Sequence, residues 1–590
     1  MPPPDPEHDY IVVGSGAAGG TVAARLAEAG MRVLVIEAGP DPRRDGDARA
    51  QADYDVPAFH PFASENPEFA WDYRVRNSAR NDAVFYPRAG SLGGCTAHNA
   101  MIFMVAPDSD WETLAAETRD PGWLPEAMHE HRKTVENCRH RPLWRLLAKL
   151  GIDPTGHGWN GWLPVEKAVP KRALRDAALI RALLLSTLAS LARNRGWLGR
   201  ICVFLRAWGD PNDLRRHARE QVCYTPVTTS GHARTGARER LEAVRRAHPE
   251  RLQIVTDCLA TRVLFDESGR ASGVEWLKGR HLSRASVWAG HQSDQGESHA
   301  RREVILAGGA FATPQLLMLS GIGDPAHLAA HGIPLRAALP EAGRNLQDRY
   351  EISVVHRMAR PWHSLRGATF TPGDPLHRAW ADGRRGMYIS NGAALSALRR
   401  SSTARDDAPD LFLMGLMARF RGYYPGYSAD LWPGLDRFSW TVLKGQTGNR
   451  AGTVRLASAD PRDRPLIDFA QFAQDGEADL TGLVEGLEMA RALARPLIAR
   501  GVIAEEELPG AAVTGEALRE WVRAHAWGHH ACGTAAIGPV LDPQGRVLGV
   551  PGLRVVDASI FPRIPGLFIA APIYLAAEKL AADILNGKEG

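Results

Sequence analysis

The first 37 residues alternate between short apolar runs and an alanine-rich stretch. Apolar residues at 9–13 predict a buried strand, and a second run at 31–36 predicts another. Between them, residues 21–29 follow a helical pattern that Gly30 closes. A strand, a helix and a second strand in this order form a βαβ unit, which predicts a parallel sheet with helices on its faces.

The rest of the chain carries both helical and strand patterns. Residues 350–460 mix apolar strands with Gly and Pro turns, which is typical of a mixed or antiparallel sheet. Residues 40–80 and 278–301 are polar and irregular, and we expect them to form loops. Strands are predicted at 252–256, 261–265, 303–306 and 553–556, and helices at 111–150, 477–526 and 572–585. We therefore predict an α/β fold, α+β overall, in which a Rossmann-like domain is interleaved with a second domain built on a mixed or antiparallel sheet with helices.

The turn between the first strand and the first helix reads Gly14-Ser-Gly16-Ala-Ala-Gly19. In this pattern Gly14 makes the tight turn, Gly16 lets the backbone approach a pyrophosphate, and Gly19 lets the helix pack on the strand. Glu37 ends the second strand at the distance where an acid accepts hydrogen bonds from a ribose diol and disfavours the 2′-phosphate of NADP. The predicted nucleotide-binding residues of this unit are Gly14, Gly16, Ala17, Ala18, Gly19, Glu37 and Ala38.

Composition narrows the class of protein. The chain has 590 residues, enough for two connected domains, and its net charge of +4 does not indicate nucleic-acid binding. Its six cysteines lie far apart without a CxxC pair, which predicts no disulfide framework, no zinc or other metal site, and a reducing cytoplasm. The polar, proline-rich start predicts no secretory signal, and no apolar run reaches the roughly 18 residues that a membrane span requires.

Residues 171–206 are rich in Leu, Ala and Arg and contain a single acid, Asp176. Their leucines form a wide apolar helical stripe beside many basic residues. Such a helix packs on its own domain or on a partner subunit more often than it lies on an anionic membrane surface. Both interpretations, peripheral membrane contact and core or oligomer packing, stay open.

Five motifs resemble those of the glucose–methanol–choline (GMC) flavin oxidoreductases, in the family's order. They are the glycine turn Gly14–Gly19, Pro87–Ala100, Ala307–Gly323, Gly343–Asp348 and Val556–Ser559. The resemblance implies FAD rather than NAD as the cofactor, and chain length and the absence of a second nucleotide motif agree. It also implies an FAD-binding domain over 1–110, 215–345 and 530–590, and a substrate-binding or cap domain over 111–214 and 346–529.

The same resemblance implies further flavin contacts. Asp557 would approach the pyrophosphate or ribityl region, and Ala260 would lie beside the adenine. The remaining contacts implied are Arg88, Gly90, Gly94, His98, Asn99, Ala100 and Ala558.

His98 is the most informative residue of the signature loop. The segment from Gly93 to Asn99, followed by Ala106-Pro107, is similar to family members in which this histidine is bonded to the 8α-methyl carbon of the flavin. The alternative is a histidine that only forms hydrogen bonds near the ring.

The segment Trp527-Gly-His529-His530-Ala-Cys-Gly533-Thr534 fits the family's His-x-x-Gly-Thr motif with His530 as the active-site histidine. Its implied role is to take or hold the substrate hydroxyl proton while hydride passes to flavin N5. His529 is either a neighbour of the substrate or a packing residue. The family's second catalytic His or Asn is replaced by Phe568, so either His530 works alone, a side chain such as Tyr574 substitutes, or the reaction is not ordinary alcohol oxidation.

The leading hypothesis is an FAD-dependent oxidase or dehydrogenase that oxidises an alcohol and passes electrons to oxygen or a quinone-like acceptor. The alternative is a redox-neutral relative of the hydroxynitrile lyase or fatty acid photodecarboxylase type, and a third candidate is a flavin-binding protein without catalysis. Aromatic residues either form an apolar substrate pocket or belong to the core; they are Phe412, Phe420, Tyr423, Tyr424, Tyr427 and Trp432.

Overall fold

The computed structural model describes residues 7–78, 83–167 and 209–587, together with Asp176, Leu184, Leu185 and Thr187. The rest of the basic segment 171–206 lies outside the described residues, so both of its interpretations stay predictions. Among the described helices, none combines the length and the apolar character that crossing a bilayer requires.

The strands of the described chain are numbered in order. They are β1 (His8–Val13), β2 (Val33–Ile36), β3 (Ala70–Val75), β4 (Val84–Ala89), β5 (Glu136–Cys138), β6 (Leu163–Lys167), β7 (Gln221–Cys223), β8 (Pro226–Val227), β9 (Thr229–Ser230), β10 (Ala233–Arg234), β11 (Leu252–Val255), β12 (Cys258–Phe265), β13 (Ala271–Lys278), β14 (Asp294–Leu306), β15 (Ile322–Gly323), β16 (Ala337–Ala338), β17 (Tyr350–Met358), β18 (Ala393–Arg399), β19 (Leu411–Leu416), β20 (Arg437–Lys444), β21 (Thr453–Arg455), β22 (Leu466–Asp468), β23 (Ile503–Leu508) and β24 (Leu553–Val555).

The α-helices of the same residues are numbered in the same way. They are α1 (Ala17–Glu28), α2 (Ala48–Asp55), α3 (His60–Ala63), α4 (Asp108–Thr118), α5 (Pro125–Val135), α6 (Pro142–Ala148), α7 (Ala237–Ala247), α8 (Gly309–Leu319), α9 (Pro325–Ala330), α10 (Pro375–Gly383), α11 (Gly476–Ala499), α12 (Gly515–His525) and α13 (Ala570–Leu585).

The first large sheet is parallel at its centre. Its strand order is β11–β2–β1–β14, and β24 pairs with β14 in parallel. The first half of β14 continues as an antiparallel partner of β13, which in turn pairs with β12. Strands β1 and β2 are almost entirely buried, helices α1 and α7 pack on this sheet, and α13 packs on α1; this arrangement confirms the Rossmann-like prediction.

The second large sheet is antiparallel throughout, in the order β23–β17–β20–β19–β18–β7. Helix α11 packs on β17 and β20, and Trp440 and Leu487 are among the residues buried between them. The sheet predicted for 350–460 is therefore confirmed. The two sheets have separate apolar cores. Trp111 and Trp123, which the sequence assigned to the substrate-binding or cap domain, belong to the core of the first sheet. The proposed domain boundaries stay a prediction.

Three predicted segments were wrong in detail. Residues 40–80, expected to be loops, contain α2, α3 and β3. The segment 278–301 was expected to be irregular, but its last residues, from Asp294 onward, belong to the long strand β14. Residues 477–526 form two helices as expected, but β23 lies between them and adds an edge strand to the second sheet. Polar residues on half-exposed strands and short helices hid these elements from the hydrophobic pattern.

Substitution of Gly19 tests the packing of α1 on the first sheet. A Cβ at Gly19 would lie 2.0 Å from the carbonyl oxygen of Gly14 and 2.9 Å from the Cβ of Ala307. We expect Gly19→Ala to lower the free energy of unfolding by about 1–3 kcal/mol in urea denaturation, since overpacking forces the backbone to shift. The control is Gly16→Ala: its φ is −64° and its new Cβ would lie 3.9 Å from the nearest atom, so stability should change little. Equal destabilisation by both substitutions would contradict this account.

Candidate active site

One large cavity connects the glycine turn of β1 and α1 with the two histidines near the C-terminus. Gly16 and Glu37 line it at one end, and His530 and Phe568 line it at the other. Of the predicted site residues, all except Gly19 and Gly90 line this cavity. Gly19 packs α1 on the sheet, and Gly90 faces the ring of Trp71, where a Cβ would lie 2.2 Å from the indole.

The turn has the geometry that the sequence predicts for a pyrophosphate site. Gly14 has a φ of +100°, a conformation that glycine adopts without strain, and its N–H donates to the carbonyl of Ile36 at 2.8 Å. Helix α1 begins directly after Gly16, so its first N–H groups and its positive dipole end face the cavity. Gly16 in turn lies against Gly94, where an added Cβ would come within 2.8 Å of the Gly16 Cα.

Glu37 is buried at the end of β2. One carboxylate oxygen accepts hydrogen bonds from the N–H of Ser15 at 3.0 Å and from its hydroxyl at 2.5 Å. The other oxygen accepts from the N–H of Gly39 at 3.2 Å. Burial raises the pKa of Glu37, although these hydrogen bonds oppose the shift. The carboxylate is therefore held in place with accepting capacity left for a ribose diol.

Asp557 fixes the start of α8 beside the same cavity. One of its oxygens accepts from the N–H of Gly309 at 2.8 Å and from the hydroxyl of Thr313 at 2.5 Å. The other oxygen accepts from the N–H of Ser559 at 2.8 Å. Burial raises the pKa of Asp557. Its position joins the segment after β24 to α8, beside the glycine turn.

A buried arginine holds the signature loop through hydrogen bonds to its backbone. Arg234 of β10 donates to the carbonyl of Thr96 at 3.0 Å and to the carbonyl of Asn99 at 2.8 Å. On the other side, the N–H of Gly93 donates to the hydroxyl of Ser15 at 3.0 Å. The loop that carries His98 is thereby fixed relative to the β9–β10 hairpin and to the glycine turn after β1.

His98 follows the single helical turn Gly94–Ala97 and lines the cavity. Its Nε2 atom is buried and has no hydrogen-bond partner in the structure. Burial, together with the positive charges of Arg88 and Arg234, holds the pKa of His98 well below 6.5. The imidazole is therefore neutral, as an imidazole must be to act as a nucleophile.

The two adjacent histidines stand side by side with their ring centroids 3.9 Å apart. The Nδ1 of His529 is 3.0 Å from a carboxylate oxygen of Glu351, and the Nδ1 of His530 is 3.8 Å from the same oxygen. Glu351 is 3% exposed and lies in β17. Burial lowers the pKa of His530 well below 6.5, and the charges of His529, Arg349 and Arg88 lower it further. His530 is thus a neutral base in a buried position.

Asp348 positions the histidine segment. Its carboxylate accepts hydrogen bonds from the hydroxyl of Tyr86 at 2.5 Å and from the backbone N–H of His530 at 2.8 Å. The hydroxyl of Tyr86 also accepts from the N–H of Ala531 at 2.9 Å. Arg88, two residues farther along β4, donates to the carbonyl of His529 at 3.0 Å. Strand β4 and the end of the Gly343–Asp348 motif therefore hold both histidines in place.

The family's second polar position is apolar here. The ring of Phe568 meets the ring of His530 edge to face, with centroids 5.7 Å apart, and meets Phe412 at 5.1 Å. The proposed substitute, Tyr574, does not line the cavity; it packs against Trp162 with ring centroids 5.4 Å apart. The polar neighbour that the structure does supply to His530 is His529.

Five of the six aromatic residues singled out from the sequence line the cavity, and Phe412 and Tyr427 also belong to buried apolar clusters. The cavity is lined by Phe412, Phe420, Tyr423, Tyr427 and Trp432. Tyr424 is the exception, because its hydroxyl donates to Asp430 at 2.6 Å outside the cavity. Tyr423 also packs against His529, with ring centroids 5.1 Å apart.

Sequence reasoning missed three polar residues of the site. His60 and Asn391 line the cavity, and the Nε2 of His60 lies 3.3 Å from the carbonyl of Asn391. Glu351 lies in β17, which is buried along almost its whole length, and a buried acid requires a partner. His60 and Asn391 gave no signal in the sequence, because they lie outside the recognised motifs.

The arrangement fits FAD on two observations. The glycines form a cradle that side chains would fill, and the buried Nε2 of His98 lacks a partner within the same cavity. Comparison with known proteins decides the family. Models described as GMC oxidoreductase match residues 206–351 and 448–577, and an NAD(P)-binding Rossmann-like model matches residues 12–73. A GMC-type oxidoreductase of Mycobacterium tuberculosis is 32% identical, with 99% of this chain and 100% of that protein covered.

The chain belongs to the GMC oxidoreductase family. It is accordingly an FAD-dependent oxidoreductase that acts on an alcohol group. The choline oxidase of Arthrobacter globiformis is 29% identical to this GMC oxidoreductase, with 99% of this chain and 95% of that protein covered. Among solved structures, pyridoxine 4-oxidase from Mesorbium loti has the same fold, with a TM-score of 0.76, 23% identity and coverage of 98% of this chain and 99% of that chain.

Proposed function

We propose that this GMC oxidoreductase oxidises an apolar or aromatic alcohol, with His530 as the base that takes the hydroxyl proton. The observation that carries the proposal is a neutral, buried His530 at the aromatic end of the cavity that also contains the dinucleotide turn. A bulky apolar substrate fits beside Phe412, Phe420 and Tyr423, whereas a small charged alcohol would lose its hydration against these rings.

Bound FAD would supply the acceptor for the hydride, which carries both electrons of the oxidation. The chain's own residues hold and move the proton. His530 takes the proton from the hydroxyl, and the resulting imidazolium is stabilised by the carboxylate of Glu351, 3.8 Å from its Nδ1. His529, whose ring lies 3.9 Å from that of His530 and whose Nδ1 is 3.0 Å from Glu351, replaces in part the second polar residue that Phe568 does not provide.

The bond between His98 and flavin is part of the same proposal. The unpartnered Nε2 of His98 and its lowered pKa support covalent attachment through that atom. A cytoplasmic location, oxygen or a quinone-like molecule as electron acceptor, and an oligomeric state stay predictions from the sequence.

Removing the base tests the proposal directly. We expect His530→Ala to keep FAD bound but to slow flavin reduction by alcohols about 10²–10⁴-fold, the usual cost of losing a general base. His529→Asn should cost less, because His530 stays in place. The measurement is anaerobic stopped-flow absorbance at saturating alcohol. A reduction rate in His530→Ala equal to that of the wild type would contradict the role of His530.

The pH profile gives an independent test. The proton acceptor must be neutral, and the pKa of His530 lies well below 6.5. A lowered pKa keeps His530 neutral at lower pH. The value of kcat/KM should therefore stay constant as pH falls through 6.5 and should decline only near the lowered pKa of His530. A decline that begins at or above pH 6.5 would show that His530 is not the titrating base.

Flavin retention tests the attachment. Acid-precipitated wild-type protein should stay yellow and fluoresce on a denaturing gel, whereas His98→Ala should release its flavin into the supernatant. The matched control is His60→Ala, which removes another buried histidine of the cavity, one with a pKa lowered to about 3, and should leave the flavin attached. A colourless wild-type pellet would rule out the bond.

A further inference from the structure

A second group of buried polar side chains lies apart from the flavin cavity. It consists of Cys138, His140, His157 and Asp210, and we call it the Cys138 cluster. Cys138 ends β5, His140 follows two residues later, His157 precedes β6, and Asp210 lies in the segment that precedes β7. All four side chains are buried, and the most exposed, that of His140, is 2% exposed. None of the four lines the flavin cavity.

Three of the four residues, Cys138, His140 and His157, bring ligand atoms close enough to surround one small cation, and Asp210 adjoins the two imidazoles. The Nε2 atoms of His140 and His157 are each 3.1 Å from the same oxygen of Asp210. The sulfur of Cys138 is 3.7 Å from the ring nitrogens of His140, and the ligand atoms of Cys138, His140 and His157 lie within 4.8 Å of one another. In a tetrahedral zinc site, bond lengths near 2.0–2.3 Å place neighbouring ligand atoms about 3.3–3.6 Å apart.

The Nδ1 atom of each histidine faces an oxygen, as is common for histidines that bind a metal through Nε2. The Nδ1 of His157 is 2.9 Å from a carboxylate oxygen of Glu136, and the Nδ1 of His140 is 3.2 Å from the carbonyl of Val165. A ligating imidazole donates its other N–H to such an acceptor, which leaves the Nε2 lone pair for the metal. Arg132 also lies 2.8 Å from the Nδ1 of His157, and it forms an ion pair with Glu136 at 2.8 Å.

The oxygen of Asp210 faces more donors than it has lone pairs. Besides the two histidines, the hydroxyl of Tyr224 lies at 2.7 Å and a guanidinium nitrogen of Arg141 at 3.3 Å. A carboxylate oxygen accepts about two hydrogen bonds. A cation among the two Nε2 atoms, the sulfur and the oxygen removes the excess, because the histidines then present lone pairs instead of N–H groups.

We propose that the Cys138 cluster binds one Zn²⁺ ion as a structural site. A thiolate and two imidazoles select zinc over Mg²⁺ or Ca²⁺, and four buried protein ligands leave no open position for catalysis. The thiolate of Cys138 and the carboxylate of Asp210 neutralise the two charges of the ion. The ion ties β5 and the loop before β6 to Asp210. Two residues after Asp210, the side-chain amide of Asn212 donates to the carbonyl of Phe103 at 2.8 Å, in the segment after the signature loop.

Metal analysis of protein purified without chelators or a histidine tag tests the site. We expect about one zinc per chain, lost in both Cys138→Ser and His157→Asn. The control Cys258→Ser removes another buried thiol and should keep the zinc. Because Glu351, His529 and His530 also bring three ligand atoms within 4.8 Å of one another, His529→Asn serves as a second control that should keep the zinc as well.

Cobalt replacement keeps the test independent of whether the variants fold. Wild-type protein depleted of zinc and loaded with Co²⁺ should show intense d–d bands in the red, where oxidised flavin does not absorb, as tetrahedral thiolate-bound cobalt does. Removing the metal should lower the melting temperature, and added Zn²⁺ should restore it. Wild-type protein that neither contains nor takes up zinc would overturn the proposal and leave a buried, hydrogen-bonded ion cluster. Zinc that persists in folded Cys138→Ser would place the ion elsewhere.

Discussion

The buried carboxylate of Asp348 holds together three segments that are far apart in the sequence. It accepts hydrogen bonds from Tyr86 in the strand before the signature loop and from the backbone of His530, and it lies in the segment that leads into β17. Next to it, Gln347 and Glu351 exchange backbone hydrogen bonds with Cys532 and Trp527, as neighbouring strands do. The position of the His530 imidazole relative to the dinucleotide turn therefore depends on this junction.

The electrostatics of the cavity follow from the same burial. Arg88 contacts the carbonyl of His529 and lies near both His98 and His530, and its charge adds to desolvation in lowering their pKa values. Both imidazoles are consequently neutral, as the proposed roles of His98 as a nucleophile and of His530 as a proton acceptor require. Phe568 extends the low-polarity surface up to His530, so the substrate hydroxyl has the histidines as its polar neighbours.

Much of the cofactor end could be predicted from the sequence, because its determinants are local. Gly14, Gly16 and Glu37 belong to one βαβ unit, in which a turn that requires a positive φ and an acid at strand end leave a readable pattern. The catalytic end was only partly predictable. Glu351 and His529 form an ion pair although they are 178 residues apart in the sequence (529 − 351). The position of Glu351 depends on the antiparallel sheet that contains β17.

The errors in the fold have a similar origin. Strand β23 and the first half of β14 carry many charged or polar residues. They form strands because β17 and β13, respectively, pair with them. The Cys138 cluster combines residues from separate segments without a repeated spacing, so counting cysteines predicted no metal site there.

The central claim is that an alcohol whose carbon skeleton fits the aromatic end of the cavity reduces the flavin through His530. Anaerobic mixing of the wild-type protein with a panel of primary, secondary, aromatic and long-chain alcohols measures this directly, by the loss of oxidised-flavin absorbance. The account predicts bleaching by aromatic or long-chain alcohols, and slower or no bleaching by small charged ones. A flavin that stays oxidised with every alcohol would contradict the account and would favour a redox-neutral reaction.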